Sequence, residues 1–352
     1  MEITEIEVDG YERVARCREP RSGLHALIAV HDTTLGPALG GMRMLPYASE
    51  DEALFDVLRL SRGMTYKSAI AETGLGGGKS VVLGDPKALK SPALFHAMGR
   101  FVESFAGRYI TAEDMNIGIP ELEFVRQETR WVTGLSRESG SSGNPSPFTA
   151  YGCLVGMRAV LEEVHGQPDL RGRKVLIQGV GAVGGRLAEL LAREGAKVAI
   201  CDIDSKRVAD LHKAHGYEVV EDARHLDVEC DIYAPCARGA GINDQTIPRL
   251  RCKAVAGAAN NQLLEPRHAR SLMARGILYA PDYVINAGGI INVSVELLPG
   301  GYDEATSMKR VEGIHASLKR VFEISRREKI PTNEAAARLA EERLAAAKAE
   351  RV

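Results

Sequence analysis

No apolar run in this sequence approaches the roughly 20 residues needed to span a bilayer, which argues against a helical membrane protein. A net charge of only -2 gives no electrostatic reason to expect nucleic acid or an anionic membrane as a partner. There is no CxxC pair among the six cysteines, Cys17, Cys153, Cys201, Cys230, Cys236 and Cys252. They read as reduced thiols that pack in a cytosolic protein, which is the compartment we expect. The acidic start, Met1-Glu-Ile-Thr-Glu-Ile-Glu7, lacks the basic and apolar regions of a signal peptide. Internal repeats and low-complexity segments are also missing. What remains is an ordinary soluble composition, 45% hydrophobic and 26% charged, and 352 residues suffice for two domains with large cores. Neither a disulfide nor a metal is needed to hold such cores together.

The most unusual stretch is Gly74-Leu-Gly-Gly-Gly-Lys79-Ser80. Its glycines cost stability inside regular structure, so the run reads as a turn shaped for a ligand. Two functions compete for it: a phosphate-cradling loop, or a small-molecule site in which Lys79 does chemistry. A phosphate loop needs GxxxxGK[ST] between a strand and a helix. Here the first glycine position holds Thr73, and the apolar strand Ser80-Val-Val-Leu83 follows the lysine instead of preceding the loop. Spacing and order both fail, which leaves the lysine.

Around that run, His25–Val30 is a strand-like apolar run. Gly36-Pro-Ala-Leu-Gly-Gly-Met-Arg43 has glycines suited to a bend or a close backbone approach. Ser49-Glu-Asp-Glu52 is a capping box, and the apolar spacing behind it predicts a helix to about Tyr66. Lys67 then falls at the helix end, where a cation complementing the helix dipole is the plain alternative to a ligand role. Pro92 to Phe105 reads as a helix. Tyr109-Ile-Thr-Ala112 reads as a strand ending on Glu113 and Asp114, an acidic pair that solvation alone could explain. The turn formers of Ser139–Pro147 mark a domain boundary, with residues 1–145 before it and 146–330 after.

The second segment alternates strands and helices. Lys174–Gln178 is followed directly by Gly179-Val-Gly181-Ala182-Val183-Gly184, then a helix, then Lys197–Cys201 ending at Asp202. A GxGxxG between strand and helix, with an acid eighteen residues beyond its last glycine, is a dinucleotide fingerprint. Its glycines allow a tight turn and let a pyrophosphate approach the helix N-terminus. Asp202 suits the ribose hydroxyls and repels a 2′-phosphate, favouring NAD, while Lys206 and Arg207 keep NADP in contention. Further apolar runs at Asp231–Cys236, Ala254–Ala258 and Gly276–Ala280 continue the pattern. Ligands of such sheets lie beyond the carboxyl ends of the strands. The loops at Cys236-Ala237 to Gly239, Asn260-Asn261 and Asn286–Gly289 are therefore expected to face the cofactor. From about Tyr302 two amphipathic helices close the chain, the second from near Thr332; residues 331–352 are expected to pack back on the first domain or to make a subunit contact.

Taken in order, Gly36–Arg43, Gly63-Met-Thr-Tyr-Lys67, Gly77-Gly-Lys79, Ala112-Glu-Asp114, Ser142–Ser146, Ala258–Leu263 and Ala280–Ile290 resemble the glutamate/leucine/phenylalanine/valine dehydrogenase superfamily, over nearly the whole chain and most closely in its leucine and valine branch. The resemblance implies an α/β protein: an N-terminal substrate and oligomerisation domain, a doubly wound Rossmann NAD domain, and an active site in the cleft between them. It implies NAD-dependent, reversible oxidative deamination of an L-amino acid to its 2-oxo acid and ammonia, in a homo-oligomer of two to eight chains. By position, Lys67 matches the lysine that binds the substrate carboxylate, Lys79 the catalytic lysine and Asp114 the aspartate that moves protons at the amine. Asn261 matches a residue near the carboxylate and nicotinamide, Thr149 one near the carboxamide. Gly40 and Gly41 fall in the substrate-binding motif. An amine base working near neutrality needs a lowered pKa, which burial and a neighbouring cation would supply.

In the glutamate branch the positions of Leu39 and Val293 hold a lysine and a serine that bind the distal carboxylate. Here both are apolar, and burying a carboxylate without partners is costly. Leu39, Ala112, Ile290 and Val293 thus outline an apolar pocket suited to leucine, valine or isoleucine. Ala182 and Gly184 in the turn, Met42, and Met115-Asn-Ile-Gly118 depart from the usual leucine-branch residues, the last toward the phenylalanine and tryptophan branches. The same reaction on an aromatic amino acid is one alternative, and a non-catalytic NAD-binding regulator is another.

Overall fold

The computed structural model describes residues 1–350, and its elements are numbered in chain order. Among the described residues they fall into two compact units: residues 1–144, 293–303 and 340–350, and residues 145–292 and 304–339. Residues 293–303, which the sequence places with the nucleotide segment, cluster with the first unit. No helix among the described residues is long and apolar enough to cross a membrane.

The first unit is built on strands β1 (Glu2–Glu5), β2 (Arg13–Glu19), β3 (Leu24–Asp32), β4 (Ala38–Leu45), β5 (Gly76–Leu83) and β6 (Tyr109–Ala112). They form one mixed sheet in the order β1-β2-β3-β5-β4-β6. Strand β5 is antiparallel to β3 and parallel to β4, which is itself parallel to β6. Helix α1 (Glu50–Ile70) crosses over between β4 and β5, and α2 (Pro86–Leu89), α3 (Pro92–Glu103) and α4 (Ile119–Arg126) follow. Alternation along the strands splits the core into two layers. Val14, Leu27, Ala29 and Val81 pack with Ala53 and Val57 of α1. Ile28, Met42, Met44 and Val82 pack with Leu94, Met98 and Phe101 of α3.

Two local expectations are corrected here. The glycine run is not a turn: Gly76, Gly77 and Gly78 are strand residues of β5, and Lys79 stands on an inner strand. The reason is packing. A Cβ on Gly77 would collide with the backbone nitrogen and hydroxyl of Thr65 on α1, and one on Gly78 would meet the Tyr109 ring at 2.7 Å. The glycines thin the sheet on both faces where its neighbours press closest. Helix α1 also runs on to Ile70, past the expected end at Tyr66, so Lys67 sits inside its last turn. Its start follows the capping signal: the Ser49 side chain accepts from the Glu52 N–H at 3.1 Å, while the Glu52 carboxylate reaches one residue further back, to the Ala48 N–H at 2.7 Å.

The second unit opens with α5 (Ser146–His165) and continues β7 (Lys174–Gln178), α6 (Ala182–Arg193), β8 (Lys197–Cys201), α7 (Ser205–His215), β9 (Glu218–Val219), β10 (Cys230–Pro235), β11 (Cys252–Val255), α8 (His268–Ala274) and β12 (Leu278–Tyr279). The six strands are parallel, in the order β12-β11-β10-β7-β8-β9. The order reverses at β7, the first strand, which is the doubly wound dinucleotide topology. Helices α9 (Asp282–Ile285), α10 (Gly288–Val295), α11 (Glu304–Val311), α12 (Gly313–Glu328) and α13 (Thr332–Ala349) complete the chain. Three helices, not two, follow Tyr302, and of α13 only residues from Ala340 onward cluster with the first unit. The expected loop at Asn286–Gly289 is half turn and half helix: Asn286 and Ala287 form a turn, and Gly288 and Gly289 open α10. Glycine suits them there: a Cβ on Gly288 would collide with the carbonyl oxygen of Phe148.

Candidate active site

Lys79 stands on β5 two residues before Val81, and so shares the face of the sheet that α1 covers. It is 6% exposed. Its ammonium is ion-paired with Oδ2 of Asp114, two residues beyond the end of β6. The strands explain the meeting. Gly41 of β4 pairs with Ala112, and a Cβ on Gly41 would strike the Glu113 carbonyl oxygen and lie 2.9 Å from the Asp114 Cβ. Only glycine lets the acidic turn close over β4 and bring Asp114 to β5. Gly40 does the same toward β5, where a Cβ would run into the carbonyl oxygen of Gly78.

Burial pushes the Lys79 amine below the ordinary lysine range. Asp114 pulls it back, and the positive charge of Arg43 opposes that pull. Burial by itself would raise Asp114, but the charges of Lys79 and Arg43 outweigh it and hold the carboxyl below the usual aspartate value. Glu113, its sequence neighbour, goes the other way: burial and the charge of Asp114 push it up. The two carboxylates that look equivalent in sequence are therefore set apart by their surroundings.

The cation that the fold sets beside the Lys79–Asp114 pair is Arg43, which lies in the Gly36–Arg43 stretch and had no expected role. Its Nε donates to Asp114 Oδ2 at 3.2 Å and its Nη1 to Asp56 of α1 at 3.2 Å. Asp56 also accepts from the Tyr47 hydroxyl at 2.8 Å. No spacing rule links residues 43, 56 and 114; the contact exists only once β4, α1 and β6 are assembled. Lys67 lies in the last turn of α1, partly buried. Leu39 is buried on β4, Ala112 ends β6 partly buried, and Ile290 and Val293 are three residues apart on α10, so they share one helix face.

A second carboxylate was not legible in the sequence. Glu296 accepts from the N–H groups of Gly134 and Ser142 at 3.0 and 2.9 Å and from the Ser141 hydroxyl at 2.6 Å. It binds the returning segment 293–303 to the end of the segment that leaves the first unit.

In the second unit, Gly179 has φ +93°, and a Cβ there would meet Ala237 at 2.5 Å. Gly184 is packed against Gly179 and Cys236, whereas Gly181 has nothing within 4 Å of its Cβ position. The turn is thus dense inside and open outside. Gly181 is the N-cap of α6 with no side-chain cap, and Gly181 and Ala182 are exposed, with Val183 between them and Gly184. An uncapped helix start with outward N–H groups fits a dinucleotide pyrophosphate. Asp202 holds the turn as well as offering acceptors. Its Oδ2 takes the Val180 N–H at 2.8 Å and its Oδ1 the Asp204 N–H at 2.9 Å. Arg207 Nη1 stands 3.7 Å from the same carboxylate. Cys236 follows β10, its N–H bonded to the Gln178 carbonyl at 2.7 Å. Asn261 is exposed with φ +51°, and its carbonyl accepts the Ala240 N–H at 2.6 Å. The Thr149 hydroxyl lies 3.0 Å from the Cβ position of Gly289.

Elsewhere in this unit, ligand atoms of Cys201, Asp222 and His225 lie within 4.8 Å of one another. The thiol and the ring nitrogen each already face a backbone carbonyl, of Ile177 and of Asp222.

Residues 11–131 match the profile of the Glu/Leu/Phe/Val dehydrogenase dimerisation domain, and residues 140–206 and 199–351 that of Glutamate/Leucine/Phenylalanine/Valine dehydrogenase. A leucine dehydrogenase of Thermoactinomyces intermedius is 53% identical, the match covering 96% of this chain and 92% of that protein. A phenylalanine dehydrogenase of the same organism is 48% identical over 95% of this chain and 92% of its own length. The crystal structure of L-tryptophan dehydrogenase from Nostoc punctiforme superposes with a TM-score of 0.87 at 43% identity, covering 96% of this chain and 97% of that one. The chain belongs to the Glu/Leu/Phe/Val dehydrogenase family and is an NAD-dependent amino-acid dehydrogenase.

Proposed function

We propose that this enzyme deaminates an aliphatic L-amino acid (leucine, valine or isoleucine) to its 2-oxo acid and ammonia, reversibly, with Lys79 and Asp114 as its catalytic pair. The observation that carries the reading is the buried Lys79–Asp114 ion pair, in a chain about half identical to leucine dehydrogenases. NAD, when bound, takes the hydride from the substrate α-carbon. The glycine turn Gly179–Gly184 would hold its pyrophosphate and Asp202 its ribose hydroxyls, with Cys236, Ala237, Thr149 and Asn261 alongside.

Lys67 pairs with the substrate carboxylate. Asp114 takes a proton from the substrate ammonium, so that the free amine can lose hydride and become an iminium. Lys79, its pKa lowered by burial, gives up its proton and activates the water that attacks the iminium carbon. The carbinolamine collapses when Asp114 returns a proton to the amine, which leaves as ammonia, while Lys79, having passed the proton taken from water to solvent, accepts the hydroxyl proton as the carbonyl forms. Leu39, Ala112, Ile290 and Val293 receive the side chain, and the lack of a partner for a second carboxylate disfavours glutamate. The relatives that act on phenylalanine, at 46–48% identity, keep an aromatic substrate as the second reading. We place the enzyme in the cytosol as a homo-oligomer, in keeping with its match to a dimerisation domain.

The test is kcat/KM for leucine, valine, isoleucine, phenylalanine, tryptophan and glutamate, followed by NAD reduction. The aliphatic substrates should lead, by about tenfold or more over the aromatic ones, the size of effect a pocket difference of this kind produces. A lead for phenylalanine or tryptophan would overturn the substrate assignment. No turnover of any of these amino acids would overturn the proposed reaction as well as the substrate.

A further inference from the structure

The catalytic pair alternates its charge, and something must keep it in place while it does so. Lys79 has to pass between ammonium and amine. Each time it becomes neutral, Asp114 loses its closest counter-charge while three-quarters or more covered by protein; its side chain is 22% exposed. A largely buried carboxylate without a cation would take up a proton itself, and two groups that should work in sequence would then titrate as one.

Arg43 stands where this can be prevented. Its Nε meets the same carboxylate oxygen, Oδ2, that Lys79 uses, at 3.2 Å. It reaches this position from β4, and the other end of its guanidinium is fixed from behind by Asp56 of α1 at 3.2 Å. Asp56 is held in turn by the Tyr47 hydroxyl at 2.8 Å and by Arg59 at 3.0 Å. The Arg43 side chain is only 15% exposed. The result is a row of alternating charge, Lys79, Asp114, Arg43, Asp56, in which the inner cation cannot deprotonate.

We propose that Arg43 is the positioning residue of the catalytic pair: its fork, clamped on Asp56, fixes the Asp114 carboxylate by Oδ2 whether Lys79 is charged or neutral. This rests on the assignment of Lys79 and Asp114 as the reacting groups. The charges facing Arg43 agree in sign. Asp114 and Asp56 keep it protonated against burial, and its own charge lowers both Lys79 and Asp114. Glu113, next to Asp114 on the same turn, and Arg59, which pairs with Asp56, are the other charged groups beside this row.

The experiment is the pH dependence of kcat/KM for oxidative deamination in the full-length enzyme, with NAD affinity measured in parallel by fluorescence. In Arg43→Gln the rise of activity with pH should move alkaline, because the charge that lowers Lys79 is gone. The maximal kcat should fall about tenfold to a hundredfold, the range seen when a supporting partner of a reacting group is lost, with NAD affinity unchanged. Arg43→Lys keeps the charge and loses the fork. It should keep the wild-type pH midpoint while kcat still falls several-fold, and it serves as the readable variant if Arg43→Gln does not fold. Wild-type kcat and midpoint in either folded variant, or a lowered melting temperature alone, would overturn the proposal. Asp114→Asn separates the two layers of the argument. If it retains full turnover, the catalytic assignment itself is wrong. If it is inactive while Arg43→Gln behaves as wild type, only the role of Arg43 is wrong.

Discussion

Lys79 can act as a base only if its amine is neutral in a useful fraction of molecules, and burial is what provides this. Lys79→Ala should keep NAD affinity and lose about 10³-fold or more in kcat, within the range of a lost general base; stopped-flow turnover and fluorescence titration measure the two. Its neighbour sets a pH limit on stability. The folded pKa of Asp114 is held below its ordinary value, so the folded state binds this proton less readily than the unfolded one. The stabilisation is present above the ordinary aspartate range and is lost as pH falls through the lowered folded value. Urea unfolding of wild type and Asp114→Asn should therefore differ most near neutrality and converge in acid; a gap that widens in acid would contradict the sign. These two residues were legible in sequence because they sit in motifs. Arg43 sits in a motif as well, but its two partners are on other elements and no spacing points to them.

At the scale of elements, the site depends on how closely α1 lies on β5. Gly77 is the contact point, since any Cβ there runs into Thr65. Gly77→Ala should push the helix outward, costing about 1–3 kcal/mol as overpacking typically does. It should also raise KM for the amino acid more than it lowers kcat, because Lys67 rides on the same helix two residues beyond Thr65. Calorimetry and steady-state kinetics report the two effects. The sequence allowed a strand only after Lys79, because glycine is a poor strand former when judged by itself. Tertiary contact reversed that preference: between α1 on one face and Tyr109 on the other, only a residue without a side chain fits. The dinucleotide turn needed no such correction, since strand, turn and helix there are consecutive in the chain.

At the scale of the molecule, the chain leaves the first unit near residue 144 and returns to it at 293. Glu296 ties the two passages together through three hydrogen bonds. Glu296→Ala leaves two backbone N–H groups and a hydroxyl to find other partners, at about 1–3 kcal/mol for each buried donor left unsatisfied. We expect a melting temperature several degrees lower in differential scanning calorimetry and an earlier proteolytic cut between residues 134 and 144, with NAD affinity retained. An unchanged melting temperature would show that the tie is not used.

The sequence by itself determined whatever is encoded over a few neighbouring residues. The glycine turn at 179–184, the acid closing the next strand, the capped start of α1 and the motifs around Lys67, Lys79 and Asp114 are all of this kind, because turn angles, helix caps and strand periods are local properties. Tertiary structure decided what depends on strands and helices distant in the chain coming together. It made the glycine run a strand, set Glu113 and Asp114 apart, placed Arg43 between Asp114 and Asp56, and joined Glu296 to residues 134–142. Burial and Coulomb interactions depend on distance in space, and residues 43, 56, 79 and 114 come within reach of one another only when the sheet and α1 are assembled.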